Sequence, residues 1–319
     1  MHFRARTLLE EPCVKTIESA SRPHPVRLLG QLASGGFSQR DYLDERKNRI
    51  KLVLRSLLSL SSSYRWLGYL SSQPLLLDYL KLAPRLSQKL HRPYLHRGLG
   101  NAAKVEMLQQ HYGRVLQLPA AVRSQLLSLD NICIASITGK DESSFSWVMG
   151  HNHYFDKEGE LSLQFVDSQQ VALATLTFTL CQYQGQPVAL IGGLQGPRKE
   201  FGHECIRTAT KACHGLFPKR LVLEALTVIA REMGCQQVLA VCKDSHIYSS
   251  WRYRKEFQAD YDSFWLDIGA EKINTEYFRI PFPIPRKPME EIASKKRSEY
   301  NRRYALLDEM AEKISQALR

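Results

Sequence analysis

The densest run of polar side chains lies between residues 200 and 215, EFGHECIRTATKACHG. If helical, Glu200, Glu204, Arg207, Lys211 and His214 share one face, because they recur every three or four positions. Such a face suits a general base beside cations for a phosphate or carboxylate. It suits equally well an exposed ladder of intrahelical ion pairs. His203 and Glu204 do not form an HExxH motif, since position 207 is arginine, so no metal is assigned. His246 follows the short β-branched run 237–242 and is expected at a carboxyl strand end near Gln195, where a histidine can accept a proton. Arg252, Arg254, Tyr261, Asp262 and Trp265 mix cations with rings, the inventory for base stacking, phosphate contact or a narrow pocket. Core aromatics with snorkelling arginines are the plainer alternative. His151 and His153 alternate on a predicted strand, but no third ligand is in view.

Periodicity supplies the elements that must position these groups. Residues 1–38, with Pro12, Pro23 and Pro25, read as a weakly ordered arm. Residues 39–130 carry helical spacing punctuated by Pro74, Pro84 and Pro93. From Cys133 the texture turns to β: runs at 145–154, 161–166, 171–184 and 188–192, parted by the turn signals DKEGE and QGQP, predict consecutive antiparallel strands. Helices are then predicted over 199–214 and 218–233, with Pro218 suited to a first turn and Gly234 just past the end. Strand 237–242 should lie parallel to the preceding one through a right-handed crossover. Tyr261–Ile268 and Phe278–Ile284 are aromatic-rich, and Pro281, Pro283 and Pro285 confine the second to a sheet edge or loop. One amphipathic helix is predicted within 286–319. The fold class is thus mixed α/β, with a basic helical N-terminal part and a mainly antiparallel sheet carrying crossover helices over 131–285.

A β-meander, a glycine-containing turn, a helix and one parallel strand resemble the element order of the acyl-coenzyme A N-acyltransferase fold, in which turn amides and a helix N-terminus hold a pyrophosphate. The resemblance makes Gly193, Gln195, Gly196 and Arg198 candidates for the donor site. That family's Gln/Arg-x-x-Gly-x-Gly/Ala signature is not reproduced by Gln195-Gly196-Pro197-Arg198-Lys199-Glu200. Tight-turn glycines are the alternative. His246, His214 and Tyr261 are the catalytic candidates. Arg207, Lys211, Lys219, Arg252, Arg254, Asp262 and Trp265 are the substrate-binding ones. The runs IGGLQG (191–196), IRTATKACHGLFPKRL (206–221), CKDSHIYSSWRYR (242–254), YDSFW (261–265) and SKKRSEYNRRYALLD (294–308) also resemble, in order, the VirK/YbjX family of Gram-negative bacteria. That resemblance implies a bacterial cytoplasmic protein linked to envelope integrity, virulence and tolerance of antimicrobial peptides. It supplies no catalytic residue and no reaction.

The 319-residue chain has 44 Lys+Arg against 32 Asp+Glu, and its 44 % apolar and 24 % charged content excludes disordered, collagen-like and coiled-coil classes. The base is local: residues 1–119 hold 19 Lys+Arg and 8 Asp+Glu (net +11), the remainder 25 and 24 (net +1). The seven cysteines are scattered without a CxxC pair, which favours a reducing compartment. The start lacks a secretory leader, and no stretch is clean enough to span a bilayer, so a cytoplasmic protein, at most peripheral to the inner membrane, is expected. Two functions follow. One is an acyl or aminoacyl transferase using a coenzyme A thioester or aminoacyl donor. The other is a non-catalytic protein whose basic helices meet anionic lipid or, less favoured, nucleic acid such as tRNA.

Overall fold

In the computed structural model, which describes residues 22–36, 43, 45–249 and 261–319, a sheet of eight strands is the central layer. Strands β1 (Ile132–Thr138), β2 (Ser144–Gly150), β3 (Leu161–Asp167), β4 (Ala172–Tyr183) and β5 (Gln186–Gln195) form an antiparallel meander. Gln184 and Gly185, both with positive φ (50° and 77°), make the two-residue turn that joins β4 to β5. β6 (Gln237–Val241) lies parallel to β5, as expected of a strand reached by a helical crossover. β7 (Glu271–Lys272) and β8 (Tyr277–Ile280) complete the order β1-β2-β3-β4-β5-β6-β8-β7. The sequence confined 278–284 to an edge or loop. Instead Tyr277–Ile280 sits one place inside the edge, ending just before Pro281, so no proline is asked to donate to the ladder.

Helices cover both faces of this sheet. On one lie α1 (Pro25–Ser34), α2 (Arg46–Leu58), α3 (Leu60–Ser72), α4 (Pro74–Leu82), a 3-10 segment (Pro84–His91) and α5 (Asn101–Gln117); α6 (Ala120–Leu126) follows. On the other lie α7 (Glu204–Ala212), α8 (Pro218–Glu232), α9 (Tyr261–Asp267) and α10 (Ser294–Ala317). Alternation along the strands serves both layers: Val188 and Leu190 of β5 face the first, Ala189 and Ile191 the second. β4 is buried on both faces from Leu173 to Cys181, including the alternating Thr175, Thr177 and Thr179. α8 is apolar on nearly every side because α10 packs over it.

Several readings of the sequence change. Pro25–Ser34, placed in the arm, is a helix started by Pro25 and ended by Gly35 at φ 80°. Tyr261–Asp267 is helical. β2 stops at Gly150, so His151 and His153 do not share a strand face.

DKEGE, read as a turn signal, does lie in the turn region between β2 and β3, but its acids point inward: Asp156, Glu158 and Glu160 are buried, at 5 %, 0 % and 2 % exposure. Each meets a nitrogen base. Arg92 pairs with Asp156, Lys89 lies 3.0 Å from Glu160 Oε1, and His246 Nε2 lies 3.3 Å from Glu158 Oε1. Tyr112 donates a 2.7 Å hydrogen bond to Glu160 Oε2, and the Lys89 ammonium also donates to the Gly159 carbonyl (3.2 Å). Leu95 N–H donates to the Lys157 carbonyl, and Arg97 N–H to that of Ser245. Residues 89–97 therefore strap the helical layer to both 156–160 and 243–246.

The same interlayer holds histidines neutral. Burial pushes His111 down to about 4, with Glu160 pulling the other way and the Lys89 ammonium adding to the depression. Its Nδ1 accepts the Leu180 N–H at 3.1 Å. Burial, Arg55 and Lys104 likewise lower His91 to about 4. A base with a depressed folded pKa takes its proton first in the unfolded chain, so the stability it supports is full above the unfolded value, near 6.5, and is lost as pH falls toward 4. Glu160, raised by burial but brought below the usual range by Lys89 and His111, adds a loss below about 4.5. Urea denaturation at stepped pH should show unfolding free energy falling between pH 6.5 and 4 by about 1.4 kcal/mol for each unit of depression carried by a fully buried histidine. His111→Gln, which keeps an acceptor for Leu180, should flatten that slope; an unchanged slope would contradict the assignment.

Candidate functional site

β5 and β6 pair from Val188–Gln237 to Ile191–Ala240, and there the register ends. On the other side of β5, Thr177 pairs with Gly193 and Phe178 with Ile191, so Gly192 is an extra, bulged residue. A β-bulge re-aims the backbone, and here the Gly192 carbonyl accepts a 2.7 Å hydrogen bond from His246 Nε2–H. His246 Nδ1 accepts the Tyr248 amide at 3.2 Å. Those two bonds fix the neutral tautomer with the proton on Nε2, and both ring nitrogens are engaged.

Glu158 enters the same opening from the 156–160 segment. Gln195 Nε2 bridges its Oε1 (3.1 Å) to the Tyr261 hydroxyl (2.7 Å), and the Tyr261 and His246 ring centroids are 5.5 Å apart. Glu158 Oε2 is buried and has no hydrogen-bond partner among the described residues. Burial, and next the Glu158 charge, hold the Tyr261 phenol far above its usual pKa, only partly offset by the Leu194 amide and Gln195. At neutral pH the Tyr261 phenol therefore keeps its proton.

Next to this cluster a cavity of about 760 Å³ opens between α8, α9 and α10. Gly196, one residue beyond Gln195, Phe264 and Asp267 of α9, and Ile268 just past its end line it, so the strand and the helix that form the cluster both continue into its wall. Its apolar lining includes Phe217, Tyr300, Tyr304 and Leu307, and its cations are Lys219, Arg220, Arg286, Lys287 and Arg303. The N-terminus of α8 opens here, with Pro218 in the first turn, no side-chain cap and no acid in that turn. Arg220 is held by Glu224 at 2.7 Å, Arg286 by Asp308, and Arg303 by the His214 carbonyl at 2.9 Å. Lys219 and Lys287 have no ion-pair partner among the described residues. Burial lowers the Lys219 pKa.

The candidates from sequence thus fall into separate places. Gly193, Gln195, His246 and Tyr261 come together in the buried cluster, and Gly196 and Lys219 line the cavity. Arg198 and Arg207 are exposed against Glu200 (3.8 Å) and Glu204 (2.6 Å), and Lys211 is exposed, the arrangement of a surface ion-pair ladder. Glu200 falls in a short 3-10 turn before α7, and His214 follows α7 at φ 53°, so the five-residue face is broken at both ends. Asp262 accepts the Lys243 amide at 2.8 Å, and Trp265 is buried in the core. Arg252 and Arg254 lie outside the described residues. Among the described residues no group of three His, Cys, Asp or Glu is placed to hold a metal. Sequence reasoning missed Glu158. Its signal was the alternation of three acids, Asp156, Glu158 and Glu160, within a turn that the Glu158 N–H closes on the Phe155 carbonyl at 2.8 Å.

The bulge tolerates no side chain. A Cβ on Gly193 would lie 2.3 Å from Glu158 Oε2, and one on Gly192 would lie 1.9 Å from the Glu158 carbonyl oxygen. Gly193→Ala should cost about 1–3 kcal/mol by overpacking. Glu158→Ala should relieve most of that cost in the double variant, whereas Gly192→Ala, which meets backbone, should not be rescued. Thermal denaturation of the parent chain, the three single variants and the two double variants reads the coupling, and equal, additive losses would contradict the geometry.

The family described as "Protein of unknown function (DUF535)" matches residues 41–316. "Uncharacterized protein YbjX" of Escherichia coli (strain K12) is 40 % identical over 287 residues, covering 89 % of this chain and 87 % of the relative. An "Uncharacterized protein" of Haemophilus influenzae is 31 % identical over 192 residues, 60 % of this chain and 63 % of the relative. "Membrane protein LapB" of Mannheimia haemolytica is 25 % identical over 195 residues, 60 % and 82 % of the two chains. No helix among the described residues is long and apolar enough to cross a membrane. A match across nearly the whole chain leads to a single conclusion: the chain belongs to the DUF535 family, the VirK/YbjX family that its motifs resemble.

Proposed function

We propose that this protein transfers an acyl or aminoacyl group from a phosphate-bearing carrier, such as a coenzyme A thioester, to an amine or hydroxyl acceptor. The observation that carries the reading is the contiguity of two environments. An apolar-walled cavity with cations and a helix N-terminus adjoins, through Gly196 and Gln195, a buried carboxylate and a buried phenol. The cavity fits the carrier's chemistry. Phosphates are met by the α8 N-terminus with Lys219 and Lys287, and an apolar arm by the Phe217, Phe264 and Leu307 walls. The order of meander, glycine turn, helices and one parallel strand, which resembles the acyl-coenzyme A N-acyltransferase outline, supports the same reading.

Each role follows from the environment. The acceptor's lone pair attacks the acyl carbonyl and its proton passes to Glu158 Oε2, the buried oxygen without a partner among the described residues. As the carbon–sulfur bond breaks, Tyr261 gives its proton to the leaving sulfur, for which its raised pKa keeps it protonated. Solvent returns the proton from Glu158 to the phenolate. His246 and Gln195 are positioning residues: the first holds the bulged Gly192 carbonyl, the second ties acid to phenol.

Titration calorimetry with acetyl-coenzyme A tests the binding half. Lys219→Ala/Lys287→Ala should weaken it by about tenfold or more, since each charge-assisted contact contributes roughly 1.5–3 kcal/mol. Tyr261→Phe should leave affinity intact while slowing thiol release in the presence of an acceptor amine by about 10²-fold or more. Absence of binding, or affinity indifferent to the two lysines, would remove the reading.

A further inference from the structure

α2 has its inward face settled by Asn48, Leu52 and Ser56, which are buried at 4 %, 0 % and 1 % exposure. On the opposite side Ile50, Leu54, Leu57 and Leu58 stand 59 %, 56 %, 61 % and 86 % exposed. At about 100° per residue these four form a stripe roughly 100° wide. Arg46 and Arg49 border it on one side and Lys51 and Arg55 on the other, with Lys47 among the apolar residues. The helix contains no acid; only Glu45, at its N-cap, is acidic. The stripe continues into α3 through Leu60 (65 %) and Tyr64 (51 %). Beside it, Ala33, Ile50, Val53 and Leu54 line a groove of about 420 Å³ with Arg46 and Arg49 at its rim.

A solvated helix in a folded protein turns its charged face outward and its leucines inward. α2 exposes both sets at once, because α1 and α3 cover only the narrow Asn48–Leu52–Ser56 line. Scattered apolar residues on a surface need no explanation, but a contiguous aliphatic stripe bordered by cations on both flanks does.

We propose that this face of α2 and the start of α3 docks on the interfacial region of an anionic lipid bilayer, with the aliphatic stripe between the acyl chains and the flanking Arg and Lys side chains on the lipid phosphates. The charge pattern selects the occupant. A bilayer interface offers an apolar layer beneath a negative one, matching aliphatic residues at the centre and cations on both borders. Nucleic acid offers phosphates and base faces, and this surface sets one exposed ring, Tyr64, against five large aliphatics (Ile50, Leu54, Leu57, Leu58 and Leu60) that would face water in the groove. The proposal is independent of the chemistry assigned to the cavity.

The experiment uses the full chain with vesicles of phosphatidylcholine alone or mixed with phosphatidylglycerol. Sedimentation should show binding to the mixed vesicles only, weakening with salt. Leu54→Asp/Leu58→Asp should reduce it at least about tenfold, while circular dichroism and melting temperature stay unchanged because both side chains are exposed. Leu57→Trp, probed at the stripe itself, should shift its emission to the blue on adding the mixed vesicles. Three results would overturn the proposal. One is vesicle binding indifferent to the aspartates. Another is binding to an oligonucleotide but to neither vesicle. The third is an indole probe in the Leu57→Trp variant already blue-shifted without lipid and unmoved by it, which marks a face covered by this chain or a second copy. The transferase reading would survive any of the three.

Discussion

Three carboxylates on one short segment enter a dry interlayer, and a buried charge is tolerated only where a partner and hydrogen bonds replace its water. Asp156, Glu158 and Glu160 draw in Arg92, His246 and Lys89, and each partner fixes a different part of the molecule. Arg92 and Lys89 bring the helical layer down onto the sheet. His246 brings the end of β6 toward the bulge in β5. The site geometry inherits its accuracy from this arrangement, because His246 and Gln195 both hold Glu158 Oε1 before any ligand arrives.

The two faces of the sheet divide the work. The layer that contains α2 carries most of the positive charge, and Lys89 and Arg92 show that part of it is spent on interior acids rather than offered to solvent. What remains outside is concentrated on α2. The opposite layer is nearly neutral overall, yet five cations converge on one cavity there. Net charge by region therefore concealed a local concentration of base in the second half of the chain.

Much of the fold was legible because its signals are local. Period-two runs located the strands, Pro218 and Gly234 bracketed α8, and the switch from β to helix to β required one parallel pair. The site was legible only in part. Gln195 and His246, singled out at strand ends, do lie together with Tyr261. Glu158 was hidden by a pentapeptide that has the composition of a turn. Trp265 and Asp262 looked like ligand groups because sequence does not distinguish a ring that lines a pocket from one that fills a core, or a carboxylate that binds from one that caps an amide. α1 was hidden for a related reason: prolines before it suggested disorder, while one of them in fact starts it.

The strap over residues 89–97 bears on how the chain reaches this state. Arg92 and Asp156 are 64 residues apart, Lys89 and Gly159 are 70 apart, and Arg97 meets Asp244 across 147. Loops of that length close late, and until they close each acid keeps its water and each cation its own. A half-assembled chain with the helical layer docked on an incomplete sheet would strand charge in a dry place. The strap thus couples the two layers, because its buried charges find their partners only when both layers are in place.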